Sequence, residues 1–453
     1  MSTRSILLKN GRIIDPVHNM DQVGDVLIQD NLIQSVGGTI EMEATADLVQ
    51  ISAEGLIVCP GFVDLHAHLR EPGQEYKETI KTGTKAAVKG GFTSVCAMPN
   101  TEPAIDSPSM IEFVKMKSAL DGACRVFPIG AVTKERKGKS IVDFLEMHSV
   151  GAVAFSDDGD PVYDSEIMRL ALEYVGPIDV PIMNHCQDLC VAPKGVMAEG
   201  KVSELLGLKG IPNSVEDIMV ARDIALCKAT GSKVHISHVS SAGSVDLIRL
   251  AKEQGINITS EVCPHHLTLT DQSVLTDAGH YTASPGNAYD TNSKMYPPLR
   301  PRSDVEALIE GLKEGVIDCI ATDHAPHDVV SKKTTFDNAA FGISVFETAI
   351  GSLLGLVHDN RLSLPKMVEA LTKGPCSVLG RSFDQYKSLR QGTVADIVLI
   401  NPNTSWVVDT EKFESKGKNT PLHGKTLQGR VVLTMVDGEI VFNELGADER
   451  RNG

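Results

Sequence analysis

The 453-residue chain lacks any run approaching the roughly 20 apolar residues that a membrane span needs. Its opening, Met1-Ser2-Thr3-Arg4-Ser5-Ile6-Leu7-Leu8-Lys9, holds no apolar core long enough for a secretory signal. It also lacks an excess of positive charge: 43 Lys and Arg stand against 59 Asp and Glu, a net charge of −16. Nucleic acid and anionic membranes are thereby disfavoured as partners, and an anionic ligand must be met by a few local cations. The nine cysteines show no paired spacing, so reduced thiols in a cytoplasmic protein are expected. Cys186 and Cys190 lie near His185 without a second pair, which argues against a structural zinc site. No Gly-x-Gly-x-x-Gly follows the first strand of the central region, and no repeat or low-complexity segment occurs.

What is present is β-rich sequence at both ends around an alternating middle. Ile6-Leu7-Leu8, Arg12-Ile13-Ile14, 25–28 and 32–36 read as short strands, with Asp30-Asn31 and Gly37-Gly38 as turns. Residues 395–400 and 431–442 return to that style, with Asp437-Gly438 as a hairpin turn. Between them, strands are expected at 62–66, 93–98, 125–131, 152–156, 180–184, 233–237, 257–262 and 316–322. Helical patterns fall at 79–90, 107–120, 164–174, 214–229, 242–254 and 303–313. Eight such units fit a (β/α)₈ TIM-like barrel over 60–383, with a doubly wound open sheet as the alternative. Residues 1–59 and 384–453 would then build one small β-sandwich domain from both termini.

A barrel demands its chemistry at the C-terminal ends of the strands. His66 and His68 end the first strand; with one residue between them they point the same way, about 6.5–7 Å apart. Asp157-Asp158 follows the fourth strand candidate, His185 ends the fifth, His238 the sixth and Asp323 the eighth. Five of eight strand ends therefore carry a metal-capable side chain, a pattern that points to a metal centre. His235, three residues before His238, is expected to face the other way and pack under a helix. His18, His148, His280, His358 and His423 read as surface or structural residues, and His265 and His266 lie near the mouth of the seventh strand.

These motifs resemble the amidohydrolase superfamily and, within it, the bacterial type I dihydroorotases. The resemblance rests on His66-Ala67-His68-Leu69-Arg70-Glu71-Pro72-Gly73, Gly90-Gly91-Phe92-Thr93, Ala97-Met98-Pro99-Asn100-Thr101 and Phe155-Ser156-Asp157-Asp158-Gly159. Cys263-Pro264-His265-His266-Leu267 and Ala321-Thr322-Asp323-His324-Ala325-Pro326-His327 extend it over nearly the whole chain. It implies a barrel with a small β domain and the interconversion of N-carbamoyl-L-aspartate and L-dihydroorotate, a step of pyrimidine synthesis. It implies one or two Zn²⁺ per chain: His66, His68 and Asp323 on the first, His185 and His238 on the second. Asp158 would bridge them where many relatives use a carboxylated lysine, with Asp157 the less favoured candidate. Asp323 would also act as the catalytic base, and Arg70, Asn100 and His327 would hold the substrate carboxylate. A homo-oligomer, a dimer, is expected, with aspartate transcarbamoylase as the candidate protein partner.

Three departures bear on substrate fit. Tyr296 stands in Met295-Tyr296-Pro297-Pro298-Leu299 where relatives place asparagine, 282–294 looks longer than usual, and Ala340-Phe341-Gly342 replaces Pro-Phe-Gly. Two other readings compete. One is another cyclic amidase, a hydantoinase, dihydropyrimidinase or allantoinase. The other is a non-catalytic subunit that scaffolds aspartate transcarbamoylase; such chains lose metal histidines, whereas this one keeps all four.

Overall fold

In a computed structural model, residues 5–43, 47–275 and 288–445 are described. His280 and the 282–287 part of the long stretch lie outside the described residues. Both chain ends meet in one eight-stranded sheet. Ile57–Pro60 runs antiparallel to Ile397–Val407, which pairs with Thr426–Val436 and through it with Glu439–Asn443. On its other side Ile57–Pro60 joins Ser5–Asp15, which pairs with Met20–Gln29 and Leu48–Ser52. The two segments expected at 6–8 and 12–14 form a single strand, because one irregularity, with Asn10 at φ +60°, absorbs the interruption between them. Asp30-Asn31 and Asp437-Gly438 all take positive φ, the geometry of two-residue hairpin turns.

The alternating middle folds close to expectation. Parallel strands Phe62–Ala67, Phe92–Ala97 and Arg125–Pro128 form one sheet. Ile182–Asn184, Val234–Ile236, Ile258–Val262 and Cys319–Ile320 form another. Helices Ile80–Lys89, Pro108–Asp121, Ser165–Val175, Ser214–Thr230, Ala242–Glu253 and Arg302–Glu314 lie between them in sequence. The strand expected at 152–156 is absent. Phe155 instead makes single bridges to Gly130 and Ile182, and a bridge between Ala67 and His324 joins the opposite edges. Val63, Leu65, Cys96, Met98, Ile129, Ala154, Met183, Cys319 and Ala321 pack as one buried cluster among these strands, separate from the larger core. Among the described residues, no helix is long and apolar enough to cross a membrane. All nine cysteines are free.

Candidate metal centre

The strand ends converge as their spacing demands. His66, His68, His185, His238, Asp158 and Asp323 are all buried. Three groupings hold donor atoms within 4.8 Å of one another: His66, His68 and Asp158; Asp158, His185 and His238; His66, His238 and Asp323. Asp158 is shared by the first two. Its Oδ2 lies 3.3 Å from His66 Nε2 and its Oδ1 3.1 Å from His238 Nε2. Asp157 turns the other way, accepting from the Val132 and Thr133 amides at 2.9 and 3.0 Å. It is a loop anchor, and its neighbour faces the imidazoles.

The hydrogen bonding tests whether this group suits a cation. His66 Nδ1 lies 2.6 Å from Glu261 Oε1, His68 Nδ1 2.8 Å from Asn100 Oδ1, and His185 Nε2 3.1 Å from Gln187 Oε1. Each partner is an acceptor, so each ring spends its one N–H outward. The remaining nitrogens turn inward: His68 Nε2 is 3.0 Å from Asp323 Oδ1, while His185 Nδ1 lies 2.9 Å from His238 Nε2 and 3.4 Å from Asp158 Oδ1. His66 Nε2 is buried without a hydrogen-bond partner. Lone pairs facing lone pairs in a dry site are stable only around positive charge. Burial works against charge on His66, yet Asp158, Asp323 and Glu261 hold its pKa well above the ordinary value. The donor set fits a divalent ion with nitrogen and oxygen ligands.

Glu261 is the residue that sequence reasoning missed. It is fully buried near the end of Ile258–Val262, and its carboxylate serves both His66 and His235 (3.2 Å). His235 therefore does not pack under a helix as expected. The strand stops at Ile236 and His238 sits at φ +36°, so counting parity across that bend fails. A signal existed: Glu261 is an acid in an otherwise β-favouring strand, Ile258-Thr259-Ser260-Glu261-Val262. By orienting His66, Glu261 raises its basicity as a ligand. Glu261→Gln is expected to weaken metal retention by about 10–100-fold, read by competition with a chelator.

A cavity of about 330 Å³ opens here, lined by His68, Arg70, Asn100, Asp158, His185, Tyr296, Asp323, His327 and Gly342 among others. Arg70 is buried, and burial drops its pKa to about 10. It bonds the Pro326 carbonyl (3.3 Å), and among the described residues no carboxylate pairs with it. Glu71, its neighbour in sequence, pairs instead with Lys117 at 3.2 Å. His327 Nε2 lies 2.8 Å from the Phe341 carbonyl, and burial pushes its pKa down to about 2. Tyr296 sits tilted between His185 and Phe341, with ring centroids 5.1 and 4.7 Å away. Ala340 contributes its carbonyl to the buried Lys332 ammonium at 2.7 Å. Gly342 must be glycine, because a Cβ there would meet the Ala325 carbonyl at 2.5 Å and its φ is +148°. Arg70, His238 and Asp323 all have positive φ, the backbone strain that gathers at functional sites.

His324 faces away, with its Nδ1 accepting from the Val345 amide at 3.0 Å. His18, His148, His358 and His423 lie outside the cluster; His18 and His148 bond residues three and four positions away, whereas His358 Nε2 lies 3.1 Å from the Pro402 carbonyl and His423 Nδ1 3.1 Å from Thr410 Oγ1.

The "Dihydro-orotase-like" family model matches residues 55–244. A dihydroorotase of Caldanaerobacter subterraneus is 47% identical over 440 residues, spanning 97% of both chains. One of Syntrophus aciditrophicus is 44% identical over 97% of this chain and 99% of its own. This chain belongs to the dihydroorotase family. Its fold is also that of more distant solved structures. The L-hydantoinase (dihydropyrimidinase) of Arthrobacter aurescens superposes with a TM-score of 0.83 at 23% identity, covering 97% of this chain and 96% of that one. The dihydropyrimidinase of Brevibacillus agri gives 0.81 at 22%, covering 97% and 95%.

Proposed function

We propose that this chain is a zinc-dependent dihydroorotase, interconverting N-carbamoyl-L-aspartate and L-dihydroorotate. The observation that carries the reading is the buried, unpaired Arg70 guanidinium in the wall of a cavity that also holds Asp323 and Asp158. A substrate carboxylate is the partner such a group lacks.

His66, His68 and Asp323 would hold one Zn²⁺, His185 and His238 the second, with Asp158 shared. When bound, the ions supply a water of lowered pKa and polarise the amide carbonyl. Asp323, ionised and in the cavity wall, accepts the proton released as water attacks the ring amide and returns it to the leaving nitrogen. In the direction of ring closure it takes the proton from the carbamoyl nitrogen as the ring amide bond forms and returns it to the departing hydroxide, which leaves as water. Arg70 grips the carboxylate with its planar fork. Asn100, whose oxygen is spent on His68, offers its amide N–H₂ to the same group, and His327 flanks Arg70 at 3.4 Å. Tyr296 replaces a polar contact by an aromatic wall over His185.

The same reading takes residues 60–383 as a closed (β/α)₈ barrel. The bridges at Gly130–Phe155–Ile182 and Ala67–His324 support closure, since they link the two parallel sheets at both edges. Residues 1–59 and 384–453 make up the β domain. A cytoplasmic homodimer is expected, with aspartate transcarbamoylase as its candidate partner.

The test is hydrolysis of dihydroorotate, hydantoin and allantoin by one preparation whose zinc is measured. Dihydroorotate should be the substrate, with one to two zincs per chain at the His66 centre, and stripping the metal should abolish turnover. Preference for hydantoin would favour the neutral cyclic-amidase reading, and inactivity of a zinc-loaded sample the scaffold reading. Full activity in metal-free protein would sink the mechanism.

A further inference from the structure

A second cluster of ligand-type side chains stands outside both the cavity wall and the ligand set assigned above. Cys263 ends the strand Ile258–Val262, and the turn Pro264–Thr268 that follows carries His265 and His266. One donor atom from each of the three lies within 4.8 Å of the others. All three are buried, at 0%, 3% and 1% exposure. His266 Nε2 donates to the Pro297 carbonyl at 3.0 Å, so its Nδ1 carries a lone pair. That Nδ1 has no partner, and neither ring nitrogen of His265 has one.

Three orphaned imidazole nitrogens in one buried cluster require a cause, since buried polar atoms are satisfied in the great majority of cases. Burial keeps both rings neutral, His266 at about 4, so their lone pairs are free to donate. Burial holds the Cys263 thiol pKa well above its ordinary value, so the sulfur is a neutral thiol until a cation binds it. His266 already has the arrangement of a metal-bound imidazole, one nitrogen tied to a backbone carbonyl and the other free.

We propose that Cys263, His265 and His266 form a separate mononuclear site for a borderline-soft divalent cation of the zinc class. A thiolate with two imidazoles is a donor set that such ions prefer over magnesium or calcium. On binding, the Cys263 thiol releases its proton to solvent as the sulfur–metal bond forms, and no electron changes hands. The ion ties this turn to Pro297, and so steadies Tyr296, the neighbouring residue in the cavity wall.

The test reads sulfur ligation directly. The six side chains of the His66 centre offer only nitrogen and oxygen, so a thiolate-to-cobalt charge-transfer band reports this cluster whether or not that centre works as proposed. Metal-depleted full-length protein titrated with Co²⁺ should develop the band to one equivalent. Cys263→Ser should lose the band and one equivalent of metal. His265→Asn, which keeps the thiol, should weaken the cobalt affinity read at the band by at least about tenfold, the lower range for losing even a supporting group. Cobalt-loaded parent protein without the band overturns the proposal, and so does a band that survives Cys263→Ser or keeps its affinity in His265→Asn. If Cys263→Ser does not fold, the parent and His265→Asn measurements decide the matter.

Discussion

Asp323→Asn is expected to lower dihydroorotate turnover by about 10²-fold or more while leaving metal content reduced but not lost. The carboxylate is buried, with Oδ1 3.0 Å from His68 Nε2 and 3.7 Å from His66 Nε2. Burial alone would raise its pKa, but the charge on His66 and the close contact with His68 hold it below the usual carboxylate value. It is therefore ionised and able to accept a proton. The amide keeps an oxygen of the same shape in the same place, so coordination survives in weakened form. What it cannot do is accept the proton that the attacking water must lose, a contribution of about 10²–10⁴-fold in rate. The measurement is kcat beside zinc content on one sample. A loss of turnover that merely tracks lost zinc would reduce Asp323 to a ligand, and near-normal turnover would move the base elsewhere.

The contrast between Asp323 and Glu261 marks what the sequence made legible. Asp323, His66, His68, His185 and His238 were readable because strand period and barrel logic place the ends of strands together. Choosing Asp158 over Asp157 needed the family resemblance, and the geometry gives the physical reason: Asp157 is consumed by the Val132 and Thr133 amides. Glu261 and His235 were not readable, because their roles depend on which neighbours meet across non-adjacent strands. No periodicity within Ile258–Val262 states that His66 lies 2.6 Å away.

The elements behave likewise. Helix limits such as 214–230 and 242–253 fell within a residue of expectation, since local caps and apolar spacing set them. The strand at 152–156 failed for a non-local reason. Val153 and Ser156 bond the Pro128 and Gly130 carbonyls and Phe155 bonds that of Pro181, yet each neighbour is met by a single bridge only. Hydrophobic pattern identifies a segment that belongs among strands, whereas ladder formation depends on both flanking registers. Lys332 is a further case. Its ammonium meets the carbonyls of Thr291, Lys294 and Ala340 at 2.7–3.2 Å, joining the two segments that present Tyr296 and Phe341. One of two adjacent lysines, Lys332-Lys333, gives no sign of that in sequence.

Arg70→Met is expected to cut kcat/KM for dihydroorotate by at least about tenfold. The guanidinium is buried, bonded to the Pro326 carbonyl, and has no carboxylate partner among the described residues. In a protein of net charge −16, little background field is available to replace it. A charge-assisted bond to substrate in such a site contributes about 1.5–3 kcal/mol, and 1.4 kcal/mol corresponds to about tenfold. Methionine fills similar space without charge, which limits the cavity effect of the substitution. Arg70→Lys should recover only part of the loss, because a point charge cannot reproduce the bidentate fork. Dihydrouracil, which has the ring without the carboxylate, supplies the control. The parent should process it poorly, and Arg70→Met should change that rate little, because nothing on the neutral ring engages the guanidinium. If dihydroorotate kinetics are unchanged in Arg70→Met, the carboxylate lies elsewhere and the neutral cyclic-amidase reading gains. If both substrates fall together, Arg70 acts on the loop it anchors at Pro326 rather than on the substrate.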